Sequence, residues 1–263
     1  MDLGIKNKVA LVTAASQGLG KASAIELANE GVKLAICSRD QDKINQTAEE
    51  IQNLSGVEVL AVKADLDSTD DIENLIKEIE KKFNTVDILV NNTGGPKAGF
   101  FDDLSDEDWL KTFESTFLSA VRVTRKVLPF MKKNKWGRII NISSVSAKQP
   151  IDNLMLSNGV RMSIHGWAKT LSNQVASENI LINNVCPGFT HTERVDALIK
   201  EQAENSNSSC EDIIESIASD IPAKRVGQAN ELAALVVFLS SEKASYITGQ
   251  SIAVDGGISS LPI

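Results

Sequence analysis

The chain has 263 residues, 42% of them hydrophobic and 24% charged, with a formal net charge of −8. That length and composition fit one large soluble α/β domain, or two small ones. The acidic balance argues against nucleic acid as the main partner, since nonspecific binding needs a basic surface to neutralise phosphates; it leaves room for an anionic cofactor held by a local cluster of amides and an arginine.

In chain order, short runs rich in Val, Ile and Leu fall at Val9–Thr13, Val32–Cys37, Val57–Val62, Val86–Val90, Arg138–Ile142 and Ile180–Cys186, the pattern of strands buried on both faces. Between them lie helical patterns at Gly20–Glu30, Gln41–Leu54, Ser68–Phe83 and Asp106–Lys133, and a later one at Asn153–Ser177 with Val160, Ile164, Ala168, Leu171 and Val175 as its apolar stripe. Gly31 suits a left-handed helix end. Ser68 and Thr69, followed by Asp70 and Asp71, suit a helix start. Repeated strand–helix units predict an α/β fold with a doubly wound parallel sheet of the Rossmann type, joined by right-handed crossovers. No linker or internal repeat interrupts it, so residues 1–263 read as a single domain. The segment 193–220 breaks the alternation: it is polar from Glu201 onward and helical around Cys210–Ala218, which suits a lid or substrate loop.

No apolar run approaches the roughly 18 residues of a membrane span, and Met1–Lys6 has no signal-peptide core. Cys37, Cys186 and Cys210 form no CxxC or Cys/His cluster and read as free thiols of a reducing compartment. A cytoplasmic chain with no membrane partner is expected. His165 and His191 are too few and too isolated to suggest zinc, so no metal is expected.

Thr13-Ala-Ala-Ser-Gln-Gly-Leu-Gly20 follows the first strand and opens a helix. Small residues let the backbone approach a pyrophosphate, and a helix N-terminus supplies free N–H donors. The second strand ends at Ser38 and Arg39; an arginine there favours the extra phosphate of NADP(H) over the ribose hydroxyls of NAD(H), and Asp40 begins the next helix. Together with Asn91-Asn92-Thr93-Gly94, Pro187-Gly188-Phe189-Thr190-His191-Thr192 and Tyr246–Gly257, this loop resembles the short-chain dehydrogenase/reductase family. The likeness runs from about Lys8 to Gly257 and is nearest to the 3-oxoacyl-carrier-protein reductase-like branch. Ala14 stands where the family has its first loop glycine. The resemblance implies cofactor contacts at Thr13, Ser16, Gln17, Gly18, Leu19, Gly20, Ser38, Arg39, Asp65, Leu66, Asn92, Gly94, Arg161, Pro187 and Gly188. Asp65 would bind the adenine amino group, and Thr190 or Thr192, with Thr192 favoured, the carboxamide. It also implies a homodimer or homotetramer, formed through the Asp106–Lys133 and Asn153–Ser177 helices.

The family's catalytic serine corresponds to Ser144, at the end of Gly137–Ser144. Its spacing then puts Ser157 at the tyrosine position and Arg161 at the lysine position, four apart on one helix face; the asparagine position falls on Thr116. The chain's single tyrosine, Tyr246, lies far from them. A serine hydroxyl is a poor proton relay near neutral pH, and an arginine stays charged; losing a general acid costs about 10²–10⁴-fold in rate. His165 reads as a packing or interface histidine, at eight residues from Ser157 too far to serve the same oxygen; His191, Lys97 and Lys148 are candidates for proton or substrate contact. Two main readings follow. One is an NADP(H)-dependent oxidoreductase acting on a small-molecule or acyl-linked ketone, or its alcohol, with an unconventional site. The other is a noncatalytic NADP(H)-binding protein, serving as a redox sensor or oligomer partner. A different chemistry on the same fold is a third.

Overall fold

A computed structural model describes residues 2–206 and 208–260. The chain begins β1 (Val9–Val12), α1 (Gly18–Asn29), β2 (Lys33–Ser38), α2 (Gln41–Ser55), β3 (Val59–Lys63), α3 (Thr69–Phe83) and β4 (Ile88–Asn91). It continues through α4 (Asp106–Thr112), a π-helical turn (Phe113–Leu118), α5 (Ser119–Asn134), β5 (Gly137–Ile142), α6 (Met155–Val175) and β6 (Ile180–Pro187). The last part comprises β7 (Thr190–His191), α7 (Glu193–Ser206), α8 (Cys210–Asp220), β8 (Gly227–Gln228), α9 (Ala229–Leu239) and β9 (Ser251–Val254).

Seven strands form one parallel sheet in the order β3-β2-β1-β4-β5-β6-β9, while β7 and β8 pair apart from it. The pleat sends alternate residues of β1 to opposite faces. Ala10 and Val12 pack with Leu27 of α1 and Val236 of α9, whereas Leu11 packs with Leu75 of α3 and Val127 of α5. Both sheet faces are therefore covered, which is why the strands read as continuous apolar runs. The order reverses between β1 and β4, and such a reversal opens a crevice at the carboxyl ends of the strands. Among the described residues, no helix is long and apolar enough to cross a membrane.

The predicted helix ends are found. Gly31 has φ +77° just past α1, and the Ser68 hydroxyl accepts from the Asp71 N–H. Three boundaries differ. β3 starts at Val59, because Gly56 at φ +74° closes α2 and the chain needs a lead-in before pairing. The predicted helix Asp106–Lys133 is two helices around a π turn. α4 packs on α6, where a side chain at Gly159 would meet the Trp109 ring at 3.1 Å, whereas α5 packs on α3 and β5; the wider turn rotates the chain from one face to the other. Finally, the polar start of 193–220 is itself helical: α7 and α8 stack on each other through Ile199, Ala203 and Ile213, so charged positions that look like loop are the solvent face of a helix pair. Position 207 of that segment lies outside the described residues.

Candidate active site

Along the carboxyl ends of the strands runs one cavity of about 1120 Å³. At its centre is the loop after β1. Thr13 Oγ1 donates to the Asn92 carbonyl at 2.7 Å and accepts from the Asn92 N–H at 2.8 Å, fastening the loop to the end of β4. Asn92 Nδ2 donates to the Ala14 carbonyl at 3.2 Å. Ala14 itself has φ +46°, a left-handed conformation that costs a residue with a Cβ about 1–2 kcal/mol. At Gly20 no substitution fits, because a Cβ would lie 2.5 Å from the Ala14 carbonyl oxygen and 2.6 Å from Asn92 Nδ2. The N-cap of α1, Gln17, makes no side-chain capping bond, so the first N–H groups of α1 stand unpaired where Gln17, Gly18 and Leu19 line the cavity. A backbone cradle with no room for a side chain and free helix N–H groups fits a diphosphate.

One end of the cavity carries charges of both signs, with Arg39, Lys43 and Lys111 in its wall among Asp40, Asp65 and Asp67. Asp40, also in the wall, caps α2, its Oδ1 accepting from Asp42 N–H at 3.1 Å and Lys43 N–H at 3.0 Å. The Ser38 hydroxyl donates to the Asp40 carbonyl at 2.9 Å, which holds the turn that presents Arg39. Burial, with the charges of Asp65 and Glu114, pushes the Asp67 carboxyl upward, against the pull of Arg39 and Lys111.

The other end gathers Ser144, Ser157 and Arg161. Ser144 lies just past β5 and starts a 3-10 turn, its Oγ accepting from the Ser146 N–H at 3.1 Å and its own O–H left free to donate. Ser157 is buried on α6 with its hydroxyl 2.9 Å from that of Ser146. Arg161, one turn on, donates from Nη1 to the carbonyls of Ile142 at 3.1 Å and Ser143 at 2.9 Å. The guanidinium thus clamps α6 to the open end of β5, using polar groups the strand leaves unpaired. Burial foremost, and then the charge of Arg194, push its pKa down to about 10.

Of the sequence-derived positions, Ser16, Gln17, Gly18, Leu19, Ser38, Arg39, Asp65, Leu66, Asn92, Gly94, Ser144, Ser157, Arg161, Pro187, Gly188, Thr190 and Thr192 line this cavity. Thr13, Gly20 and Thr116 do not: the first two shape the loop from behind, and Thr116 is buried in the π turn. The Thr190 hydroxyl donates back to Gly188 at 3.3 Å, whereas that of Thr192 accepts from Val195 N–H at 3.4 Å at the start of α7. His165 packs between β5 and β6, its Nε2 2.9 Å from Ser143 Oγ and 3.7 Å from Cys186 Sγ; burial, then Lys148 and Arg161, push its pKa down to about 4. His191 and Lys148 lie off the cavity wall; His191 faces Asp196 at 3.5 Å. Lys97 lines the cavity but is paired with Asp108 at 3.0 Å.

Sequence reasoning missed Lys43, Lys111, Gln149, Arg194 and Ser259, all in the wall. Arg194 follows Thr192 by two and could have been weighed as a charge at the mouth of the Pro-Gly loop. Ser259 had no local signal: the chain end folds back, and the Ser260 N–H donates to Gln149 Oε1 at 2.7 Å.

A family model described as enoyl-(acyl carrier protein) reductase matches residues 13–259. The NADPH-dependent reductase BacG of Bacillus subtilis is 35% identical, over 96% of this chain and 98% of its own length. The 3-oxoacyl-[acyl-carrier-protein] reductase FabG of Staphylococcus epidermidis is 33% identical, over 96% and 99%. The solved structure of L-sorbose reductase from Gluconobacter frateurii, complexed with NADPH and L-sorbose, superposes with a TM-score of 0.96 at 32% identity, covering 99% of this chain and all of that one.

Proposed function

The chain belongs to the short-chain dehydrogenase/reductase family, and from that premise we propose that it is an NADP(H)-dependent oxidoreductase that reduces a ketone to a secondary alcohol. One observation carries the reading: a single cavity joins the loop at the start of α1, the Arg39 end and the Ser144 hydroxyl. That relatives are NADPH-dependent reductases supports it.

When bound, the dinucleotide supplies a hydride to the carbonyl carbon. This chain's residues do the rest. Arg39, with Lys43 and Lys111, binds the 2′-phosphate, and the N–H groups of α1 bind the diphosphate. Ser144 donates a hydrogen bond to the substrate oxygen and fixes the attacked face. As the carbonyl π electrons move onto that oxygen, the buried Arg161 charge favours the developing negative charge. The oxygen takes its proton from water in the cleft, relayed across Ser157, since neither serine nor arginine has a proton to give up near neutral pH. α7 and α8 form the lid over the substrate. The free thiols suit a reducing cytoplasm, and Leu110, Phe113 and Met162, exposed on α4, the π turn and α6, form the contact between copies of the chain.

The buried, internally bonded state of Ser157 and Arg161 supports a second reading, a noncatalytic NADP(H)-binding protein. Calorimetric titration with NADPH and NADH, followed by a screen of ketones for NADPH oxidation with Ser144→Ala as control, separates the two. Binding that favours NADPH, with turnover lost in the variant, is the expected result. Tight binding without turnover of any ketone selects the second reading, and no binding of either nucleotide sinks both.

A further inference from the structure

The cations around the cavity are not equivalent. Arg39, Lys43 and Lys111 belong to the end that takes the cofactor phosphate. Lys97 is already neutralised by Asp108. At the Ser144 end two guanidiniums remain, Arg161 and Arg194, and among the described residues neither has a carboxylate within 4.0 Å. Arg161 is used up holding the end of β5. Arg194 is different. It stands at the start of α7, open to solvent, and its hydrogen-bond partners among the described residues are two neutral carbonyls, Nη1 on that of Gly95 and Nη2 on that of Pro96 at 2.8 Å. The guanidinium lies flat on this loop: a Cβ at Gly95 would lie 2.5 Å from Arg194 Cζ, so a side chain there would push the guanidinium aside.

The acids next to Arg194 in sequence are turned elsewhere. Glu193 Oε2 points to the phosphate loop, 3.7 Å from where a Cβ of Gly18 would be, and Asp196 faces His191. The apolar part of this end's wall is made by Ile151, Leu154, Phe189, Val195 and Leu198, beside the hydroxyls of Ser144 and Ser157 and the Glu193 carboxylate. An uncompensated guanidinium beside an apolar pocket selects an anion with an apolar body, and a planar fork matches a carboxylate in two-point contact.

We infer that the substrate is an oxo acid, with its carboxylate on Arg194, its apolar chain against Leu154, Phe189 and Leu198, and its ketone at Ser144. This deepens the reductase reading and rests on it. Arg194 holds the substrate and takes no part in hydride or proton transfer, and its present bonds to Gly95 and Pro96 give way to the carboxylate.

The test is a series of 2-, 3- and 4-oxo acids of medium chain length, each paired with its primary amide. Calorimetry measures binding to the intact protein saturated with NADP⁺, and NADPH oxidation measures turnover. At least one acid is expected to bind about 10- to 100-fold more tightly than its amide, the range of a charge-assisted hydrogen bond. Arg194→Leu should erase that ratio, Arg194→Lys should retain part of it, and NADP⁺ affinity should stay unchanged in both. If no acid in the series outbinds its amide, the inference is wrong. It is equally wrong if Arg194→Leu weakens NADP⁺ and leaves the acid-to-amide ratio alone, because Arg194 then serves the cofactor. If acids bind selectively through Arg194 and none is reduced, the carboxylate site at Arg194 stands, but the substrate assignment falls with the reductase reading it rests on.

Discussion

Gly20→Ala isolates the phosphate cradle from every other part of the site. The new methyl would sit 2.5 Å from the Ala14 carbonyl oxygen and 2.6 Å from Asn92 Nδ2, where ordinary contact begins at 3.4 Å. Ala14 and Asn92 must each retreat by about 0.8–0.9 Å. The Ala14 carbonyl cannot do so freely because it is backbone, and Asn92 Nδ2 can swing away only by giving up its 3.2 Å bond to that carbonyl. Forcing a methyl into such a place costs about 1–3 kcal/mol, and losing the Asn92–Ala14 bond adds about 1 kcal/mol. The expected loss is about 2–4 kcal/mol, or roughly 5–15 °C in melting temperature for a chain of this size. NADPH affinity should fall as well, since the displaced loop is the cradle. Urea titration reads the first effect and calorimetry the second. Gly166→Ala is the control: nothing lies within 4 Å of its Cβ, and alanine in a helix should raise stability by up to about 1 kcal/mol. A Gly20→Ala protein that melts within 2 °C of the parent and binds NADPH equally well would refute the cradle.

Arg39→Ala should weaken NADPH about 10- to 100-fold and leave NADH nearly unchanged; equal losses for both would show that Arg39 does not read the extra phosphate. Ser144→Ala should lower kcat/KM for any ketone turned over by about 10²-fold with NADPH affinity intact; a loss confined to cofactor binding would remove Ser144 from the substrate oxygen. His165 has a pKa near 4 in the fold against 6.5 when unperturbed. Between those values the unfolded chain binds the extra proton and the fold does not, so stability is full above pH 6.5 and declines as pH falls toward 4. His165→Asn should flatten that part of a stability–pH profile, and an unchanged slope would assign it to carboxylates.

The sheet was legible because both its faces are covered, which leaves runs such as Val86–Val90 without polar interruption. The phosphate loop was legible because its chemistry is local: one strand end, one turn, one helix start. Helical patterning missed the π turn at Phe113–Leu118, since an added residue per turn shifts the face without changing composition. It also missed α7, whose polar face outweighs its buried residues Ile199 and Ala203. Ser144, just past β5, and Ser157 and Arg161 on α6 line one end of the cavity, the positions that the family resemblance implied. What spacing could not give was the Arg161 clamp on Ile142 and Ser143, because a partner across the chain depends on how α6 docks. Arg194 was invisible for the same reason: its importance comes from Gly95, ninety-nine residues earlier.

The Arg161 clamp has a bearing on how wet the cleft must be. A phenol held beside a lysine carries its own exchangeable proton, so a site built on that pair can close completely during turnover. Here the groups around Ser144 are two aliphatic hydroxyls and a guanidinium spent on backbone carbonyls. Under the proposed chemistry each turnover draws its proton from outside. The lid proposed for α7 then has opposing tasks: it must fold over the ketone tightly enough to aim the hydride, and leave a thread of solvent reaching the oxygen. Turnover in such an enzyme would slow in heavy water and under osmotic stress, while its affinity for the dinucleotide stayed the same.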